Sequence, residues 1–407
     1  MLLETASFPL TLHAQTVGPV RSGTSFIPAL SVGERYDSNI WFSPAEFLPP
    51  GTQLWDFATT VQGSVKALHK DKNVEVSLNG GVDVNTYVYN KGLNYLSTRA
   101  DLYSNLNGWA ERLAKGAQLR VYDYFRYTPT SPGFLSGGTV GTEDPFLRGI
   151  QSFRANTYSN TVNTDGVYPV YRGLGVQGQY AFSLYRVGSI LAATSTGPTF
   201  FNTVMNAWSV GPRLQLTRAD TVAVLYQQSL ISQTQVSETG SVIDTNTQSV
   251  TATYTRQVPS WRFIVAGGVT LVEPASQAFP TGRITITTNP ERSTIFQVDL
   301  SRLAAPSFFL TAGALISNVG TIQITHRLEK HITVRGSFNA GYNESVPRSA
   351  DTKFTNITLS AGLNYRITKT FAVDLYYDHN DVKTETPTLN YSIVRNVVGF
   401  ALTAQWN

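Results

Sequence analysis

The chain has 407 residues, with 31 Lys and Arg against 27 Asp and Glu, a net charge of +4, and only 14% charged residues in all. It has no cysteine, which excludes a disulfide framework, a thiolate nucleophile and a Cys-ligated metal. No apolar run reaches the roughly 18 residues of a membrane-crossing helix, and no block of like charge suggests a nucleic-acid stripe.

Residues 1–25 are set apart as an N-terminal segment, a signal-peptide remnant or a periplasmic stretch. Met1 to Gln15 has a short apolar stretch and ends Leu12-His13-Ala14-Gln15, but it carries Glu4 and no basic residue, against the pattern of a secretory leader. From residue 26 to 407 the pattern changes to one that repeats to the end. Trp55, Phe57, Thr59, Val61, Gly63, Val65 and Ala67 share one parity, with Asp56, Ala58, Thr60, Gln62, Ser64 and Lys66 on the other. A period of two over that length specifies a strand, because successive side chains point to opposite faces of a sheet.

In chain order the reading places strands at 26–43, 54–68, 73–89, 93–110, 117–128, 170–182, 184–195, 203–217 and 221–236. It continues with 244–257, 261–272, 279–288, 293–303, 315–328, 331–345, 352–367, 370–384 and 390–407. No segment of comparable length repeats at 3.6, so no substantial helix is expected. Turns such as 218–220, 289–291, 329–330 and 369–370 are tight, whereas 237–243, 345–351 and 384–389 are longer and polar. The longest loop is placed at 129–169, on the side of the longer connections. Strands this long exceed the common soluble strand of about five or six residues. The fold class expected is therefore all-β: a transmembrane antiparallel up-and-down β-barrel of about 18 strands (16–18). Val398, Phe400, Leu402, Ala404 and Trp406 make a last apolar face that closes the sheet, and closure removes the edge that lipid cannot satisfy.

Two signals for a soluble enzyme fail on inspection. Gly173-Leu174-Gly175-Val176-Gln177-Gly178 spells a dinucleotide fingerprint, but it lies in an alternating segment and opens no helix. The five histidines have no metal-ligand spacing. The expectation is no catalytic residue, no cofactor and no metal.

The inward parity carries the functional signal. Lys66, Arg99, Arg120, Arg126, Arg213, Arg335 and Arg366 face the lumen in this register, with Asp83, Asp101 and Asp374. Arg262, Arg327, Asp56, Glu75, Asp299 and Asp378 share that side. Tyr103, Tyr122 and Tyr124 point inward too, with Tyr87, Tyr95, Trp109 and Tyr376. The charges either pair across the lumen and plug it or line a polar conduit favouring anionic solutes. The tyrosines either pack or stack on sugar rings. Asp123 falls on the lipid-facing parity.

Glu34-Arg35-Tyr36-Asp37-Ser38-Asn39-Ile40-Trp41 opens the first strand, Arg154-Ala155-Asn156-Thr157-Tyr158-Ser159-Asn160 lies midway, and Tyr365-Arg366-Ile367-Thr368 precedes a tight turn. These resemble a family of outer-membrane β-barrels found beside exopolysaccharide-synthesis and PEP-CTERM/exosortase genes. The resemblance implies a porin-like role in a Gram-negative outer membrane as the exit for a polysaccharide. The implied partners are lipopolysaccharide, the barrel-assembly machinery and periplasmic polysaccharide-export proteins, and no nucleic acid. A plugged barrel anchoring a surface assembly is the alternative, and a rim-located enzyme the third.

Overall fold

A computed structural model describes residues 23–129, 154–190, 200–236, 242–288, 293–307, 313–346, 351–387 and 390–406. Eighteen strands form one antiparallel sheet, and they run in chain order as follows. The first nine are β1 Gly23–Asp37, β2 Asp56–Lys70, β3 Glu75–Tyr87, β4 Tyr95–Asn105, β5 Gln118–Thr128, β6 Ala155–Tyr171, β7 Leu174–Ile190, β8 Phe201–Gln215 and β9 Asp220–Gln235. The second nine are β10 Val242–Gln257, β11 Trp261–Glu273, β12 Gln277–Thr288, β13 Thr294–Pro306, β14 Ala314–Arg327, β15 Ile332–Val346, β16 Lys353–Arg366, β17 Phe371–Glu385 and β18 Asn390–Gln405. Each strand pairs with its sequence neighbours, and β1 pairs with β18 from Ala29 opposite Gln405 to Asp37 opposite Val397. The sheet is thus a closed barrel with no free edge.

Alternation sets the two faces. Leu30, Val32, Val61, Val65, Leu78, Val82, Ile322, Ile324, Leu359, Leu375, Phe400 and Leu402 are exposed on the outer face. Their neighbours of opposite parity, such as Ser31, Thr60, Asp83, Thr321, Ser360 and Thr403, turn inward. The outer aliphatics end in aromatics at both rims. Tyr36, Trp55, Phe57 and Tyr89 pack together at one end, with centroids 5.4–6.1 Å apart. Tyr168, Trp261, Tyr365 and Phe371 stand exposed at the other. An apolar belt between aromatic girdles is the exterior of a membrane-spanning barrel.

Three of the short turns share one device. A side-chain oxygen accepts from the amides two and three residues on, which satisfies donors that the ladder leaves free. Asp71 does this for Asn73 and Val74 at 2.6 and 2.7 Å, Thr217 for Ala219 and Asp220, and Thr368 for Thr370 and Phe371. Asp71 lies outside the strands, and the two amides hold its carboxyl below the usual range.

Four expectations need correction. The loop placed at 129–169 contains β6, which begins at Ala155. The strands expected at 170–182 and 184–195 are one strand, β7, after a two-residue turn in which Gly173 has φ +79°. The expected strand count survives only because the omission and the false division cancel. Within 93–110 the chain leaves β4 at Asn105 and forms a seven-residue helix, α1, Asn107–Leu113, where no helix was expected. Trp109, expected to point into the lumen, is therefore on α1 and 56% exposed. The first strand also starts at Gly23 and ends at Asp37, so 38–43 belongs to a connection. The expectations on residues 1–22, 130–153, 191–195, 237–241, 289–291, 347–350, 388–389 and Asn407 lie outside the described residues.

Candidate functional site in the barrel lumen

The lumen is graded from end to end. On β2, Lys66 is exposed, Ser64, Gln62 and Thr60 are half-buried, and Ala58 and Asp56 are sealed. The inner face of β1 follows the same course, from exposed Ser25 through half-buried Ile27 and Ala29 to Arg35 and Asp37 at 4% and 0%. The wide end is the one with the short turns. The other end is filled.

What fills it, among the described residues, is an apolar layer and the infolded β1–β2 connection. Tyr185 and Val187 of β7, Leu315 and Val319 of β14, Phe354 of β16, Val382 of β17 and Tyr391 and Ile393 of β18 form one continuous cluster with Phe42 and Phe200. Those strands lie on opposite sides of the barrel, so the cluster bridges the mouth. Phe42 and Phe47 come from the β1–β2 connection, and the Phe47 ring meets Tyr391 edge-on at 5.6 Å. Asn39 braces that connection by donating from Nδ2 to the Ser43 carbonyl (2.9 Å) and accepting from the Ser43 amide (3.3 Å). On the far side, Gln233 of β9 donates to the Ser307 carbonyl and accepts from the Gly313 amide, so it ties the end of β13 to the start of β14.

Below this layer the charges pair. Arg395 donates from Nε and Nη2 to the two oxygens of Asp37 at 2.9 and 2.6 Å. Arg283 holds Asp299 with help from Thr285, Arg335 holds Asp374 with help from Asn364, and Arg126 holds Asp101. Arg154 lies over Tyr87 and Tyr95 at 5.0 and 4.8 Å and donates to the Leu93 carbonyl, while Arg35 donates to both tyrosine hydroxyls. Burying a guanidinium is tolerable only with such partners. Asp83 accepts from Ser97, and Arg99 is 8% exposed beside it.

The wide end is different. Lys66 on β2, Arg120 on β5, Arg213 on β8, Arg262 on β11, Arg327 on β14 and Arg366 on β16 all have inward parity. Each stands within five residues of its strand's end at this rim, where all the described connections are short turns except the β4–β5 segment that carries α1. Together they form a basic ring. Arg120 is paired with Asp165, from Nε at 3.0 Å and Nη2 at 2.7 Å. The other five enter no ion pair among the described residues. Of the inward acids near this rim, Glu75 is held by Lys70 at 3.3 Å, Asp101 by Arg126 and Asp374 by Arg335. Arg213 is in electrostatic reach of Arg120, and Arg262 of both.

The residues singled out in the sequence thus separate into two sets. Lys66, Arg120, Arg213 and Arg366 sit in the basic ring, with Tyr103 and Tyr122 beside Arg120. Arg99, Arg126, Arg335, Asp83, Asp101 and Asp374 belong to the paired region above it, and Tyr124 lies between the two on β5. The mouth residues Asp37, Arg395, Gln233 and Phe47 were not singled out, because their partners are more than 70 residues away or sit in a connection. On the lipid side, Asp123 accepts from Asn160 Nδ2 at 2.7 Å.

Comparison with known proteins adds the following. No curated protein sequence matches the chain. Outer membrane protein OpdK from Pseudomonas aeruginosa superposes with a TM-score of 0.42 at 10% identity, over 94% of this chain and 99% of that one. OccAB3 from Acinetobacter baumannii gives 0.43 at 10% over the same shares. The ferric enterobactin receptor PfeA from Pseudomonas aeruginosa gives 0.45 at 8%, over 95% of this chain and 81% of that one. Residues 285–406, which hold the last six strands from β13 to β18, match the family model described as "Putative beta-barrel porin 2".

Proposed function

We propose that the chain is an outer-membrane porin-like channel that admits anionic polar solutes from the periplasm, with export of acidic polysaccharide as its preferred use. The observation that carries this reading is the basic ring. Five uncompensated cations at the open end of a polar lumen raise the local concentration of anions by field focusing between low-dielectric walls. The short turns mark that end as periplasmic, since barrels of this kind keep short turns there and longer loops outside. The family model matched by the last third of the chain supports the porin-like part.

The test is the reversal potential of the refolded full-length protein in planar bilayers under a potassium chloride gradient. Anion preference is expected. Arg213→Glu combined with Arg262→Glu should move the reversal potential toward cations, because it changes the ring's balance by four charges. A wild-type channel that prefers cations, or a double variant with unchanged selectivity, would sink the anion reading.

A second reading has its own observation. The apolar layer across the far mouth makes a plugged, anchoring barrel consistent with the same fold. A heat-modifiable barrel that never conducts, under any applied voltage, would favour it.

A further inference from the structure

The inner face of β5 joins the ring to the paired region through tyrosines that belong to neither. Arg120, Tyr122, Tyr124 and Arg126 follow one another on the lumen side, and residues two apart on one strand face are spaced about 7 Å. Tyr122 stands directly across from Tyr103 of β4, with ring centroids 5.1 Å apart. Tyr122 and Tyr124 have centroids 6.4 Å apart and planes within 11° of each other. All three tyrosines are half-buried, unlike Tyr87 and Tyr185 in the filled mouth at 5% and 2%. They are more accessible from the lumen than those two.

Both ends of the row are charged and fixed. Asp165 holds Arg120 through Nε and Nη2, which leaves Nη1 to donate elsewhere. Asp101 and the Phe125 carbonyl hold Nη1 of Arg126. A fixed guanidinium recognises a carboxylate with little further loss of side-chain entropy. Two phenol rings in nearly parallel planes stand at successive positions on the lumen face, and the C–H face of a pyranose is apolar in the same way as a ring face. Neither group alone specifies an acidic sugar polymer. The two together, along one strand, do.

We infer that the inner face of β5, with Tyr103, is a carbohydrate track that binds an acidic oligosaccharide. Successive pyranose rings lie over Tyr122 and Tyr124, and their carboxylates are met by Arg120 and the adjoining basic ring. The inference rests on the conduit reading above and names its substrate class. It is distinct from simple anion attraction, because it makes the tyrosine rings as necessary as the charges.

The experiment is calorimetric titration of the folded full-length protein in detergent with trigalacturonate, and with maltotriose as the neutral control. Trigalacturonate should bind and maltotriose should bind at least about tenfold more weakly. Tyr122→Ala with Tyr124→Ala should weaken trigalacturonate by about tenfold, the loss expected from two stacking contacts. Tyr122→Phe with Tyr124→Phe should stay close to wild type. Heat-modifiable migration on gels reports folding, and the single alanine variants are read if the double variant does not fold. No trigalacturonate binding, or binding that the alanine variants leave unchanged, overturns the track. Anion-selective conductance without trigalacturonate binding would overturn the track and keep the conduit. Trigalacturonate binding by a barrel that never conducts would keep the track and overturn the conduit.

Discussion

Asp37 and Arg395, 358 residues apart in sequence, are joined by two hydrogen bonds of 2.9 and 2.6 Å at the seam where the first strand meets the last. Both side chains are buried, at 0% and 6% exposure. The bond is therefore both a charge pair and a closure device. Ser38 and Asn396 add to it, with each chain's amide bonded across the seam.

Removing one partner leaves the other charged and dry. Asp37→Ala or Arg395→Ala should cost about 3–5 kcal/mol, the range for breaking a buried pair. The measurement is the urea midpoint of the barrel in lipid vesicles. A loss under about 1 kcal/mol would mean that water reaches the seam, since exposed pairs contribute no more than that.

The apolar layer at the filled mouth predicts a gain of conductance on polar substitution. Phe47→Asp places a carboxylate against Tyr391 and the rest of the layer, where it cannot be solvated without letting water in. Single-channel current through this variant should exceed wild type several-fold. An unchanged current would show that the β1–β2 connection does not limit flow.

Asp123 tests which face meets lipid. It is the sixth residue of an eleven-residue strand on the outer parity, and Asn160 supplies its one side-chain donor. Asp123→Val should stabilise the vesicle-embedded barrel by about 1 kcal/mol, the modest gain expected for removing an acid from a lipid-facing site. Destabilisation in the same urea titration would place this sector against protein or water.

Gly399 tests packing inside the barrel. A Cβ at that position would come within 2.5 Å of the Tyr376 ring, so Gly399→Val must push Tyr376 into the lumen. The expected cost is about 1–3 kcal/mol, as for other overpacked sites, together with a lower single-channel current. A current equal to wild type would mean that Tyr376 has room to turn aside.

How much of this was legible in the sequence depended on how local the cause was. Strands such as β2 and β17 announce themselves, because lipid on one side and water on the other enforce alternation residue by residue. β6 did not, and its composition explains why. Its outer face carries Asn156, Asn160 and Thr164 among the apolar residues, so both parities look polar and the period disappears. α1 is only two turns long, too short for a 3.6 repeat to be recognised. The inward charges were readable by parity, but their partners were not. Arg35 and Arg154 converge on Tyr87 and Tyr95 only once the ring is closed. The infolding of the β1–β2 connection is likewise a property of the closed barrel, since Phe42 and Phe47 meet strands that lie far along the chain.

The six basic residues near the open end stand on β2, β5, β8, β11, β14 and β16, so one recurs at nearly every third strand around the circumference. Asp165 offsets Arg120, and the other five, spread about an axis, have sideways pulls that partly cancel at the centre, while their pull along the axis adds. By that geometry an anion arriving at this end would be drawn toward the midline before it meets any one side chain. The arrangement would act as an electrostatic lens, gathering acidic chains ahead of the surface that binds them.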